Sequence, residues 1–100
     1  MEIYEYPQDW CKIGDVLTVR GDLAERRYDF ICCGKNVFDN AIENMMSFRE
    51  RRVKVCKMWS DGRIRVVESG YNWTPNMFEE FKNGMPVNIS MEAFLELYKD

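Results

Sequence analysis

The sequence predicts a mainly β, α+β domain: a small curled barrel or strongly bent antiparallel sheet, closed by short helices that include one at the C-terminus. Three observations predict it. Short β-prone runs recur between Gly and Asp turn signals, an Asp-Gly pair separates two alternating runs, and helical spacing is confined to short stretches. One hundred residues, 46% of them apolar, match a single domain over 1–100 with one core.

The first run, Ile13 to Arg20, enters through Gly14-Asp15. Leu17 and Val19 share one face, and Val16, Thr18 and Arg20 the other. Gly21-Asp22 ends it. A second run covers Tyr28 to Cys33 and is closed by Gly34. Residues 37–48 read as a short helix, with Asn36 as its cap, Asp39 three places on, and Phe38, Ala41, Ile42, Met45 and Met46 at helical spacing. That stripe suits a core better than a cofactor pocket. The strongest hairpin signal is Val53 to Trp59, the turn Ser60-Asp61-Gly62, then Arg63 to Glu68. On its return strand Arg63 and Arg65 alternate with Ile64 and Val66, so one face is wet and one buried. Thr74-Pro75 starts a helix, a hydroxyl cap followed by proline at the first helical position. Met77, Phe78 and Phe81 face inward from it, Glu79, Glu80 and Lys82 face water, and Asn83-Gly84 ends it. A last helix follows Ser90, with Met91, Phe94, Leu95 and Tyr98 on one stripe.

The chain has no apolar run near ~20 residues, and its acidic, aromatic N-terminus lacks the pattern of a secretion signal. A cytoplasmic protein with no membrane partner is expected. The four cysteines (Cys11, Cys32, Cys33, Cys56) form no C-x-x-C pair and have no histidine to join, so reduced structural thiols are expected rather than a metal site or disulfides. The acceptor patterns Asn72-Trp73-Thr74 and Asn88-Ile89-Ser90 carry no weight without an export signal.

Charge is unevenly distributed. Residues 1–48 carry nine acids and five bases, 49–67 seven bases and two acids, and 68–100 six acids and two bases. A basic middle with acidic ends gives the chain its net charge of −3.

The segments Ile13-Gly14-Asp15-Val16-Leu17-Thr18-Val19-Arg20-Gly21-Asp22-Leu23, Met46, Val53-Lys54-Val55 and Tyr71-Asn72-Trp73-Thr74-Pro75-Asn76-Met77-Phe78-Glu79 form a recognisable pattern. It resembles a group of small uncharacterised proteins from phages and prophages of Gram-positive bacteria, with the motifs GDxVxVRxDL and WxWTxEMF. Tyr71 stands where the group often has tryptophan, and Pro75-Asn76 where it has acidic residues. The resemblance covers about residues 12–81 and implies an SH3-like barrel there, with 85–100 as a helical extension. It brings no catalytic residue.

Nothing in the chain points to an enzyme. Without histidine no Ser/His/Asp or Cys/His arrangement exists, and Gly34-Lys35-Asn36 is no phosphate loop. No cofactor is expected. The candidate surface is basic and aromatic: Arg51, Arg52, Lys54, Trp59, Arg63, Arg65 and Tyr71. Trp73, just before a helix cap, reads as core, whereas Trp59 and Trp10 read equally as core or interface. The leading expectation is a mobile-element protein that binds a host protein stoichiometrically, for example a defence nuclease in the manner of an anti-CRISPR inhibitor. The alternatives are a nucleic-acid-binding accessory or regulatory protein, with the cations on phosphates and Trp59 on a base, and a structural or oligomerising phage component.

Overall fold

The structure is a computed structural model and describes residues 3–84. The expected C-terminal helix and the 85–100 extension lie outside the described residues. The chain is mainly β, as the turn signals predict, and its strands form two antiparallel sheets. Strand β1 (Val16–Thr18) pairs with β4 (Arg52–Met58), β4 with β5 (Ile64–Val66), and β5 with β6 (Asn72–Trp73). Strands β2 (Arg26–Cys32) and β3 (Lys35–Ala41) form a separate hairpin. Among the described residues the pairing does not close into a barrel.

The first strand follows its alternation. Leu17 and Val19 are buried, while Val16 is 47% exposed. The hairpin at 60–62 also forms as its turn residues require: Gly62 takes φ +92° and its N–H donates to the Trp59 carbonyl at 3.1 Å. Ile64 and Val66 are buried and Arg65 faces out. Register slips by one residue between Val55↔Val66 and Lys57↔Arg65, a β-bulge at Cys56 that brings Lys57 and Arg65 opposite each other.

Two expected helices are corrected. Residues 35–41 are strand, and only Glu43–Phe48 is helical, as a 3₁₀ helix. The cause is the turn before it. Cys33 and Gly34 take φ of +54° and +75°, closing a two-residue loop that returns the chain along β2 with Cys32 opposite Lys35. Asn36 is therefore not a cap, and its amide reaches Asp29 instead. After Thr74 only Pro75–Met77 is helical, again 3₁₀. The Thr74 hydroxyl bonds the Asn76 side chain rather than a free backbone N–H. Residues 78–80 are then held by the edge of β1: Phe78 bridges Val19, Glu79 N–H donates to the Thr18 carbonyl at 2.8 Å, and the Glu80 carboxylate accepts the Thr18 N–H at 2.9 Å. These bonds satisfy an exposed strand edge that a continuing helix would leave open.

The core lies between the sheets and is aromatic. Trp73, Phe30, Phe78 and Met77 are fully buried, and the N-terminal segment contributes Tyr6 and Trp10. Glu5 bridges Ile31 of β2 in parallel, and the Tyr6 hydroxyl donates to the Phe81 carbonyl. Trp10 packs edge-on to Phe81, 4.9 Å between ring centroids, and its indole N–H donates to the Gly62 carbonyl at 2.7 Å. Trp10 is therefore core, and Trp73 is core as expected, its N–H bonded to Ser69 Oγ at 2.9 Å. Each buried indole thus keeps its polar atom paired.

Candidate cationic aromatic face

Strand alternation places the exposed side chains of β4 and β5 on the outer face of the four-stranded sheet. Arg52 lies opposite Thr18 and Lys54 opposite Val16, both exposed. Past the bulge, Lys57 lies opposite Arg65, and Arg65 opposite Asn72 of β6. Trp59, just beyond the end of β4, joins this group. Its ring centroid is 4.1 Å from Lys57 Nζ and 5.6 Å from Arg65 Cζ, within the range of cation–π attraction. Its indole N–H donates to Asn72 Oδ1 at 3.1 Å, fixing the ring's orientation. The half-buried ring also lines a shallow groove with Gln8, Asp9, Met58 and Ser60.

Arg65 is half-buried. Its Nε is buried and has no hydrogen-bond partner among the described residues. A buried, unpaired donor on a charged group is costly.

The structure brings together only part of the expected surface. Arg52, Lys54, Trp59 and Arg65 share the face. Arg51 is exposed but stacks on Phe48, 5.1 Å from the ring centroid. Tyr71 is half-buried and packs against the core. Arg63 is drawn into ion pairs with Asp39 of β3 at 3.0 Å and Asp61 of the turn at 2.9 Å. The two carboxylates hold its guanidinium more firmly protonated despite the opposing effect of burial. Arg63 thus ties the two sheets together, and its charge is neutralised where it stands. The sequence reading missed Lys57 and Asn72 as members of the face. Lys57 was reachable, because residues two apart on a strand share a side and Trp59 was already a candidate.

Among the described residues no three Cys, Asp or Glu side chains converge to hold a metal ion. Cys11 and Cys32 are buried, and burial pushes each thiol up to about 12, with nearby Asp15 adding to the effect at Cys11. All four cysteines are free, and Cys33 and Cys56 are exposed. Glu79 and Glu80, expected only to face water, have local partners: Lys82 at 2.7 Å and the β1 edge. No described helix is long and apolar enough to cross a membrane.

No protein-family model matches the chain, and no curated protein or solved structure does so either.

Proposed function

We propose that the chain is a non-enzymatic binding module that docks on an acidic surface of a protein through the Trp59 face. The observation that carries this reading is the indole of Trp59, half-buried, hydrogen-bonded by Asn72 and flanked by Lys57 and Arg65. A fixed aromatic ring with cations beside it is the kind of anchor that dominates protein interfaces, since it loses little freedom on binding. Arg52 and Lys54 extend the positive field along β4, and neither forms an ion pair among the described residues.

The resemblance to phage and prophage proteins supports a concrete version: a host-cell protein is the partner, and the module inhibits it stoichiometrically in the cytoplasm, as an anti-CRISPR protein inhibits a defence nuclease. The fold reading that accompanies it is an SH3-like barrel, to which the antiparallel order β1-β4-β5-β6 and the β2–β3 hairpin contribute strands in two sheets that strand pairing does not join among the described residues. The test is capture from a Gram-positive host lysate, repeated with Lys57→Glu/Arg65→Glu. A partner retained by wild type and lost by the variant supports the reading, and a partner retained equally by both contradicts it.

A second reading, nucleic-acid binding, is favoured by the exposed Arg51, Arg52 and Lys54. Against it stand the ion-paired Arg63 and the net charge of −3. It predicts affinity for single-stranded DNA that falls steeply as salt rises.

A further inference from the structure

The β2–β3 turn carries a feature that the Trp59 face does not use. Cys32 ends β2 and Cys33 opens the two-residue loop, with their sulfurs 3.8 Å apart and no disulfide between them. Neighbouring residues on a strand normally point their side chains to opposite faces. Here the left-handed backbone at Cys33 (φ +54°) departs from that alternation and accompanies two sulfurs within contact distance. The pair borders a concavity also lined by Lys35, Val37, Ser60 and Asp61. Cys33 is exposed, while Cys32 is 2% exposed and sits under the 60–62 turn, where a Cβ on Gly62 would lie 3.1 Å from its sulfur.

We propose that Cys32 and Cys33 form a dithiol chelate site for a soft, thiol-seeking centre, with trivalent arsenic as the ligand chemistry. The spacing fits. At a metal–sulfur distance of ~2.3 Å, as in zinc thiolates, sulfurs 3.8 Å apart subtend roughly 110° at the shared atom. Pyramidal trivalent arsenic takes a narrower angle than this, so the exposed Cys33 sulfur closes toward Cys32 by a fraction of an ångström on chelation, and soft sulfur donors select soft acceptors. A two-thiol site also suits an acceptor that completes its valence with a third, non-protein substituent. The surrounding side chains supply no third ligating group, since no cluster of three Cys, Asp or Glu is present among the described residues.

The step balances without redox chemistry. An organic arsenous oxide carries one arsenic–oxygen unit and one carbon substituent. The exposed Cys33 sulfur adds to arsenic first, and Cys32 then closes the ring. Two As–S bonds form, the oxygen leaves as water with the two thiol protons, and arsenic remains trivalent. Burial keeps Cys32 a neutral thiol until that closure, its pKa being pushed up to about 12, so its proton departs with the leaving oxygen.

The experiment is intact-mass spectrometry of the full chain treated with one equivalent of phenylarsine oxide in excess 2-mercaptoethanol. Wild type is expected to retain one phenylarsenic group per chain, and to release it on adding dithiothreitol. Cys33→Asn is expected to reduce the retained fraction at least tenfold. Asparagine tolerates the left-handed backbone there, so this variant keeps its turn. Cys56→Ser, which removes the other exposed thiol, is expected to retain the group as wild type does. Cys32→Ala should lose it as well; if that buried substitution unfolds the chain, Cys33→Asn alone decides. Failure of wild type to retain the group, equal retention by Cys33→Asn, or loss in Cys56→Ser would each overturn the proposal.

Discussion

Gly62 is where the hairpin that presents Trp59 depends most closely on one residue, and its replacement by alanine has a magnitude that the structure supplies. Two costs apply. The backbone there has φ +92°, outside the range that L side chains favour, which costs about 1–2 kcal/mol. An added Cβ would also lie 3.0 Å from Phe30 Cε2 and 3.1 Å from Cys32 Sγ. Phe30 is fully buried, so crowding against it adds about 1–3 kcal/mol. Gly62→Ala should therefore lose about 2–5 kcal/mol, a large share of what a small domain has. Two other glycines separate the contributions. Gly14 has φ +98° with nothing within 4 Å of an added Cβ, so Gly14→Ala should show the backbone cost alone, about 1–2 kcal/mol. Gly70 has no positive φ and open space, and Gly70→Ala should change stability by less than about 1 kcal/mol. Equilibrium urea unfolding of the three variants, followed by far-ultraviolet circular dichroism, measures the order. The reasoning is refuted if Gly62→Ala is as stable as Gly70→Ala, or if Gly14→Ala costs more than Gly62→Ala.

Further outcomes follow from the same geometry. Arg63→Ala should cost about 1 kcal/mol, because its ion pairs with Asp39 and Asp61 are part-exposed; thermal melts should show the cost shrinking at high salt. The Arg20 hydrogen bond holds the Asp22 carboxyl down to about 2, with Arg20's charge contributing, so the stabilisation is present above the unfolded value of ~3.9 and lost as pH falls through about 2. Asp22→Asn should flatten that part of an acid titration, by well under 1 kcal/mol since the carboxylate is exposed. In timed alkylation of the native protein, Cys33 and Cys56 should react first and the buried Cys11 and Cys32, each pushed up to about 12, last.

Much of the sheet was legible because its signals are local. Leu17 and Val19 alternate with exposed neighbours, and Asp61-Gly62 marks a turn through glycine's freedom at positive φ. Strand β3 was misread for a physical reason. Phe38, Ala41, Ile42, Met45 and Met46 do fall at helical spacing, but Cys33 in the left-handed region starts a hairpin that a Cys-Gly pair does not advertise. The segment after Thr74 was misread because its competing bonds come from Thr18, some sixty residues earlier in the chain. The same limit applies to the face. Trp59 was a candidate from residue type alone, whereas the bulge at Cys56 that sets Lys57 beside Arg65 depends on register between two strands. Arg63 and Arg65 look equivalent in sequence, and the ion pairs of Arg63 with Asp61 of the turn and with Asp39, reaching across from the other sheet, separate their roles.

The most direct test of the binding account is calorimetric titration of the captured host protein with wild type, Arg63→Ala and Lys57→Glu/Arg65→Glu. The account predicts a one-to-one complex, at least tenfold weaker for the double variant, a loss of about 1.4 kcal/mol or more, and nearly unchanged for Arg63→Ala. Equal affinity for wild type and the double variant would contradict it.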